Sequence, residues 1–481
     1  MTNNELCALP ATEIARQIRD KEISPVEVTE AALERVARLD DQLHAFSELT
    51  ADLARDQAKQ VADAVSRGER LGALAGVPIA VKDLIATAGI PTRCGSPAYR
   101  DFVPDEDDVV VERVKAAGAV IVGKTNVPEF GYSGVGHNPI AETTRNPWDP
   151  AMTSGGSSAG SGAAVASGMT PLALGSDGGG SVRIPAAHCG IFGFKASMGR
   201  VPLYPGCRDE RYPGISSWET LEHIGPMTRT VDDAALLMSV LAGPDPRDRH
   251  SIPAGDVDWL TATQGDIRGL RVAYSADWGY LAVDPEVREI AGRAADVFAK
   301  ELGCTLEHAD PGWEDPFEAF WSLVVNDTDL SGMRAMAEQY GSEMSPHLVG
   351  LLAQPWTAQQ LTDGAIERKR VVNRMWRFMS DYDLLLTPTL TVPPFPVGFQ
   401  GPEIVEGRMV PPTAWLGFTF PINMTGQPAA SVPAGFTASG LPVGLQIIGR
   451  HLADADVLRA SACFEKAAPW ADRWPSMVAG A

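Results

Sequence analysis

The chain has 481 residues, 61 acidic against 40 basic side chains, a net charge of −21, six cysteines and 44% hydrophobic residues. This length allows a core that buries roughly three quarters of the unfolded chain's surface. The charge excludes a protein that works by coating nucleic acid or anionic membrane, because that work needs a positive field.

In chain order, the N-terminus has no positive region leading into an apolar core, and no apolar run approaches the roughly 20 residues of a membrane helix, so a cytoplasmic protein is expected. Residues 1–70 read as helices. Ser24, Pro25 and Glu27 supply an N-cap, a proline at the first helical position and a capping-box acid, with apolar residues following at helical intervals. A polar helix follows near 51–67. From Gly76 the texture changes to short β-branched runs, GVPIAVKDLI and then GAVIVGKTN from Gly118, with a helical stretch between them. Helix followed by buried strand, repeated, predicts an α/β fold. Residues 154–199 are rich in Gly and Ser but keep apolar content, so they read as closely packed helix and strand rather than linker. Further on come a helix capped at Thr230, a strand near 270–274, a helix near 284–302 and a mostly helical stretch near 313–379 carrying Trp313, Trp321, Trp356 and Trp376. The tail returns to strands in DLLLTPTLTV and PVGLQIIG before a final helix, DADVLRASACFEKA. No repeat or linker interrupts the chain, which favours one large domain.

The six cysteines show no C-x-x-C pair and the eight histidines no H-E-x-x-H spacing, so reduced thiols, no metal and no cofactor are expected. Two motifs look like decoys. Gly118–Thr125 matches the P-loop letters, but the residues between its glycines are strand formers and Pro128 follows too soon for a helix. Gly156–Gly160 matches G-x-S-x-G around Ser158, but the preceding residues carry two prolines and make a poor strand for a nucleophile elbow.

A third constellation is more coherent. Gly178, Gly179 and Gly180 before Ser181 leave backbone N–H groups free to converge on one point, as an oxyanion hole requires. Ser181 is expected to open a short helix, whose N-terminus adds positive potential, and could be a nucleophile if a base removed its proton. Lys82, among Val77, Pro78, Ile79, Ala80, Val81, Leu84 and Ile85, is a candidate base because desolvation lowers a lysine pKa. Substantial neutrality near pH 7.5 needs a fall of about 3 units, costing on the order of 4 kcal/mol. The alternative is a structural ion pair between Lys82 and Asp83 or another carboxylate.

Together GGSSAGSG from Gly155, GSDGGGSVRIPAAHCGIFGFK from Gly175 and VKDLI from Val81 resemble the amidase signature family. Lys82 lies 75 residues before Ser157, and Ser157 lies 24 before Ser181, as in that family. GKTNVPEF, NPWDP, DLLLTPTL, FPINMTGQPAASVPAG and GLPVGLQIIGR extend the resemblance across nearly all of the chain except about 305–380. The resemblance implies a single domain over 1–481, with a central mixed, twisted β-sheet surrounded by α-helices. Within it would lie N-terminal helices at 1–70, a catalytic core at 75–200 and a variable helical region at 305–380 that shapes the substrate pocket together with residues around Phe130 and Tyr132. It implies a Ser-cisSer-Lys triad of Ser181 (nucleophile), Ser157 (bridge at a cis peptide) and Lys82 (general base and acid). Backbone N–H groups of Gly178, Gly179, Gly180 and Ser181 would form the oxyanion hole, with Ser158, Asp177 and Arg183 positioning the loops.

The expected activity is hydrolysis of amide C–N bonds through a seryl acyl-enzyme, on aryl or other non-peptide amides or carbamates, with side esterase or urethanase activity. The expected partner is a small-molecule substrate, without nucleic acid or membrane, in a monomer or homodimer. The glutaminase component of a tRNA-dependent amidotransferase and a non-catalytic binding protein on the same fold are the alternatives. Three residues depart from the family pattern: Gly178 where Thr or Ile is usual, Ala159 for a common Gly, and His188 for an aromatic, the last expected to be a packed core residue.

Overall fold

The computed structural model describes residues 1–255 and 257–479. Its centre is an 11-stranded sheet in the spatial order Phe46–Leu49, Val120–Thr125, Pro78–Lys82, Leu172–Ser176, Ile224–Thr228, Phe192–Lys195, Ala429–Phe436, Pro442–Gly449, Leu384–Pro388, Arg271–Tyr274 and Thr305–His308. Pro78–Lys82 runs parallel to both of its neighbours, whereas Ile224–Thr228 is antiparallel to the strands on either side of it. The sheet is therefore mixed, and helices cover it in a single α/β domain. The inner strands Pro78–Lys82, Val120–Thr125, Leu172–Ser176 and Leu384–Pro388 are buried along their whole length, so they read as near-continuous apolar runs rather than alternating ones.

Local signals in the sequence account for several helix ends. Ser24 caps Pro25–Leu43, its Oγ accepting from Val26 N–H at 3.2 Å while Ser24 N–H donates to Glu27 at 3.2 Å. Ala51–Arg67 and Asp454–Ala467 form as the pattern predicts. One expectation fails inside 1–70: Phe46–Leu49 is a strand, antiparallel to Val120–Thr125 at the sheet edge. The preceding helix stops at His44 with φ +50°, which turns the chain, and pairing with the edge overrides local propensity.

Of the six apolar clusters among the described residues, two dominate the interior. The larger lies between the sheet and the covering helices, including Ile79, Val81, Leu174, Phe192 and Ile447. The second is aromatic, with Phe130, Trp218, Phe320 and Phe420, and packs beneath the helices Phe317–Asn326, Leu330–Tyr340, Pro346–Ala353 and Ala358–Phe378. The functional cavities open beside this second cluster.

Candidate active site

Lys82 is the last residue of Pro78–Lys82, and Ser176 the last of the neighbouring parallel strand Leu172–Ser176. Both side chains therefore emerge at the carboxyl edge of the sheet, where α/β sheets place their ligands. Lys82 is fully buried, and its Nζ lies 2.7 Å from Ser157 Oγ, 2.8 Å from Ser176 Oγ and 3.1 Å from the Ser176 carbonyl. Among the described residues it forms no salt bridge, since Asp83 faces Lys124 at 3.9 Å instead. Burial pulls the Lys82 pKa below its usual 10.5, against the opposing charges of Glu222, Asp177 and Cys207. Asp83 is therefore not the partner of Lys82, and the strongest opposing charge on Lys82 is that of Glu222, which lies beyond salt-bridge distance.

The Gly156–Ser157 peptide is cis. Ser158 does not face a cavity: its Oγ donates to the Ser176 carbonyl and accepts from Ser176 N–H, both at 3.2 Å, and its own N–H donates to the Ser181 carbonyl at 3.2 Å. Those bonds tie the Ser157 loop to the Ser181 loop and explain why the elbow-like motif supplies no nucleophile at Ser158. The P-loop letters likewise fall on a strand, Val120–Thr125, with Lys124 buried and bonded to Thr92 Oγ1 and the Ile85 carbonyl.

Ser181 lies in a turn, and the short helix begins two residues later at Arg183–Cys189. Asp177 and Arg183, both fully buried, hold this turn. Asp177 accepts from Gly180 N–H at 2.8 Å, from Asn423 Nδ2 at 2.8 Å and from Arg183 Nε at 3.0 Å and Nη2 at 2.9 Å. Arg183 also donates to the Thr419 carbonyl, Gln446 Oε1 and Asn423 Oδ1. Burial alone would raise the Asp177 pKa, but the Arg183 charge and hydrogen bonds more than offset it and hold the carboxyl below its usual range.

Gly180 N–H is committed to Asp177 and Gly180 faces neither cavity, whereas the N–H groups of Gly178, Gly179 and Ser181 have no partner among the described residues. Thr419 Oγ1 donates to the Gly179 carbonyl at 2.8 Å, which fixes the plane of the peptide joining Gly179 to Gly180.

Two cavities meet at Gly131, Gly179, Ser181 and Trp218. The narrow one, about 40 Å³, runs inward past Ser157 and Ser176 to Glu222, Cys207 and Asp108. The wide one, about 530 Å³, opens outward past Tyr132, Phe317, Phe320, Trp321, His347 and Phe420. Of the four tryptophans marked in the helical stretch only Trp321 lines it; Trp313 packs at a tilt against Trp278, 5.0 Å between ring centroids, and Trp376 is 58% exposed elsewhere. His188 is a core residue, stacked on Trp415 at 5.4 Å and pulled by burial to a pKa of about 3.

The Amidase family profile matches residues 27–458. The chain belongs to the amidase family. Among its relatives, an acylamidase of Rhodococcus erythropolis is 39% identical, with 99% of each chain aligned. A glutamyl-tRNA(Gln) amidotransferase component of Cyanothece sp. is 34% identical, covering 97% of this chain and 99% of its own. Among solved structures, a bacterial aryl acylamidase of the amidase signature family superposes with a TM-score of 0.90 at 33% identity, covering 98% and 99% of the two chains. The protein is an amide-hydrolysing enzyme of this family.

Several residues of this amidase site escaped the sequence reading. Ser176 sits in the GSD motif, Asn423 in FPINMTG and Gln446 in GLQIIG, so their text was in view without a role. Phe420, the first residue of FPINMTG, was likewise in view, whereas Glu222 and Trp218 carried no local signal; sheet pairing and helix packing bring those two in.

Proposed function

We propose that Ser181 attacks the substrate carbonyl, that Ser157 relays its proton to Lys82, and that the N–H groups of Gly178, Gly179 and Ser181 hold the oxyanion. The observation that carries this reading is the buried, ion-pair-free Lys82 bonded to Ser157 at 2.7 Å, in the same cavity system as Ser181. A neutral amine there accepts the proton as the Ser181 Oγ–carbon bond forms. When the tetrahedral intermediate collapses, the C–N bond breaks and the proton passes back through Ser157 to the leaving nitrogen. Water then attacks the acyl-enzyme along the same relay, releasing the acid and freeing Ser181. The non-catalytic alternative has no support from a site in which all three relay residues are retained.

The two cavities suggest the substrate class. The wide, aromatic-walled cavity suits an aryl or other bulky apolar group, in keeping with the aryl acylamidase likeness. The narrow cavity has room for about three waters, hence for only a few heavy atoms on the other side of the scissile bond. We therefore read the substrate as an amide or carbamate with one bulky and one small substituent, hydrolysed by a cytoplasmic monomer or homodimer without nucleic acid. Esters of the same shape should also react. Acetanilide and benzamide each carry one bulky group and benzanilide two, so kcat/KM for benzanilide is expected to be at least about tenfold lower than for the better of the others. Equal values would contradict the two-cavity reading. The similarity to a glutamyl-tRNA(Gln) amidotransferase component favours a second reading, glutaminase action within a complex. Hydrolysis of glutamine but of no anilide or aliphatic amide by the isolated chain would select it.

A further inference from the structure

The narrow cavity contains a carboxylate that the relay does not use. Ile224 pairs with Ser176 in the sheet, and the ladder continues one step beyond it, Asp177 N–H donating to the His223 carbonyl at 2.7 Å and His223 N–H to the Asp177 carbonyl at 3.2 Å. Glu222 thus lies across from Gly178. A Cβ on Gly178 would collide with Glu222 Oε2 and would meet the Trp218 ring at 2.9 Å, so Glu222 and Trp218 occupy the space where the family usually has a Thr or Ile side chain. Glu222 is 9% exposed and lines the narrow cavity with Ser157, Ser176 and Ser181.

We propose that Glu222 is a positioning residue for the relay: it accepts a hydrogen bond from the Ser176 hydroxyl, turns the Ser176 oxygen toward Lys82 and, by its charge, sets the pH at which Lys82 becomes a base. Lys82 Nζ donates to Ser176 Oγ at 2.8 Å, so the Ser176 hydroxyl proton points away from Lys82, and the Glu222 carboxyl lines the same narrow cavity as Ser176. The other charged groups around the pair are otherwise engaged. Asp177 is bound to Arg183 and Arg208 to Asp248, while burial raises the pKa of the Cys207 thiol and pushes that of the Asp108 carboxyl up to about 8. Glu222 is the largest electrostatic influence favouring the charged form of Lys82, and Lys82 in turn partly offsets the burial that raises Glu222. Removing the negative charge while keeping an acceptor for Ser176 should therefore lower the Lys82 pKa.

This inference rests on Lys82 as the base, and the experiment separates the two claims. The acid limb of kcat/KM against pH is measured for the full-length wild type, Glu222→Gln and Glu222→Asp. The expected result is a wild-type acid limb that moves at least one unit lower in Glu222→Gln, a tenfold gain in relative activity at a pH on that limb, and lies near wild type in Glu222→Asp, which keeps the charge. An unmoved limb in Glu222→Gln, or the same shift in Glu222→Asp, overturns the role of Glu222. Absence of any acid limb in wild type overturns the Lys82 reading itself. If Glu222→Gln does not fold, infrared titration of wild type and Lys82→Met decides. A carboxylic-acid band whose titration moves with Lys82 supports the pair, and its absence overturns it.

Discussion

Lys82 shows how surroundings decide what one residue can do. Its strand is buried on both faces, its three hydrogen-bond partners are oxygens of two serines, and burial favours the uncharged amine. Activity should therefore rise with pH through the neutral range as Lys82 loses its proton; a flat kcat/KM from pH 6 to 9 would count against it. Ser181→Ala removes the proposed nucleophile without touching the Asp177–Arg183 scaffold, so kcat should fall by about 10³ or more with little change in Tm. Gly178→Ala should cost about 1–3 kcal/mol of stability and perturb kcat, because the new Cβ displaces Glu222 and Trp218; urea unfolding and kinetics would check this. At this scale Lys82, Ser157 and Ser181 were legible in the sequence because each sits in a contiguous motif with defined spacing. Glu222 was not legible, because only the pairing of Ile224 with Ser176 brings it to the site. The commitment of Gly180 N–H to Asp177 was equally hidden, since three successive glycines do not reveal which amide a carboxylate will take.

Close backbone contact governs the helix Ala159–Ala166. All eight of its residues are buried and none is larger than valine. A Cβ on Gly160 would collide with the Ala45 carbonyl and reach Asn126 N–H at 2.5 Å, both of them backbone, so neither can swing aside. Gly160→Ala should destabilise the protein by roughly 3 kcal/mol or prevent folding, whereas Ala164→Gly in the same helix should cost about 1 kcal/mol; thermal unfolding of the two variants tests the contrast. Small-residue texture announced this packing in the sequence, and hydrophobic periodicity announced the helices Pro25–Leu43 and Asp454–Ala467. The strand Phe46–Leu49 gave no such signal, because four residues at a sheet edge have no period to read and their structure comes from the neighbour they pair with. The helices over 317–378 were visible as helices, but not which of their aromatic faces would wall a cavity.

Over the whole molecule, the charge of −21 sits on the surface while a small set of ionisable groups is buried inside. Asp108 caps the helix Val109–Ala116, is almost fully buried, and has its pKa pushed by burial from 3.8 to about 8. Its folded form binds a proton that the unfolded chain has released, so its contribution to stability falls as pH rises from about 4 to about 8 and is level above that. Asp108→Asn keeps a capping oxygen and removes this cost. Its stability relative to wild type should increase across that window, by roughly 2 kcal/mol or more at pH 8; a pH-independent difference in urea unfolding would contradict the burial argument. Composition argued against whole classes of function and the alternation of elements indicated an α/β domain, but the order of 11 strands, and with it the meeting of two cavities at Ser181, depends on long-range pairing. The most direct measurement of the central claim is peptide mapping by mass spectrometry after treating the purified enzyme with a serine-directed fluorophosphonate. The account predicts a single label on Ser181, loss of activity in proportion to labelling, and no label in Ser181→Ala. A label on Ser157 or Ser158 instead, or full activity retained with Ser181 labelled, would contradict it.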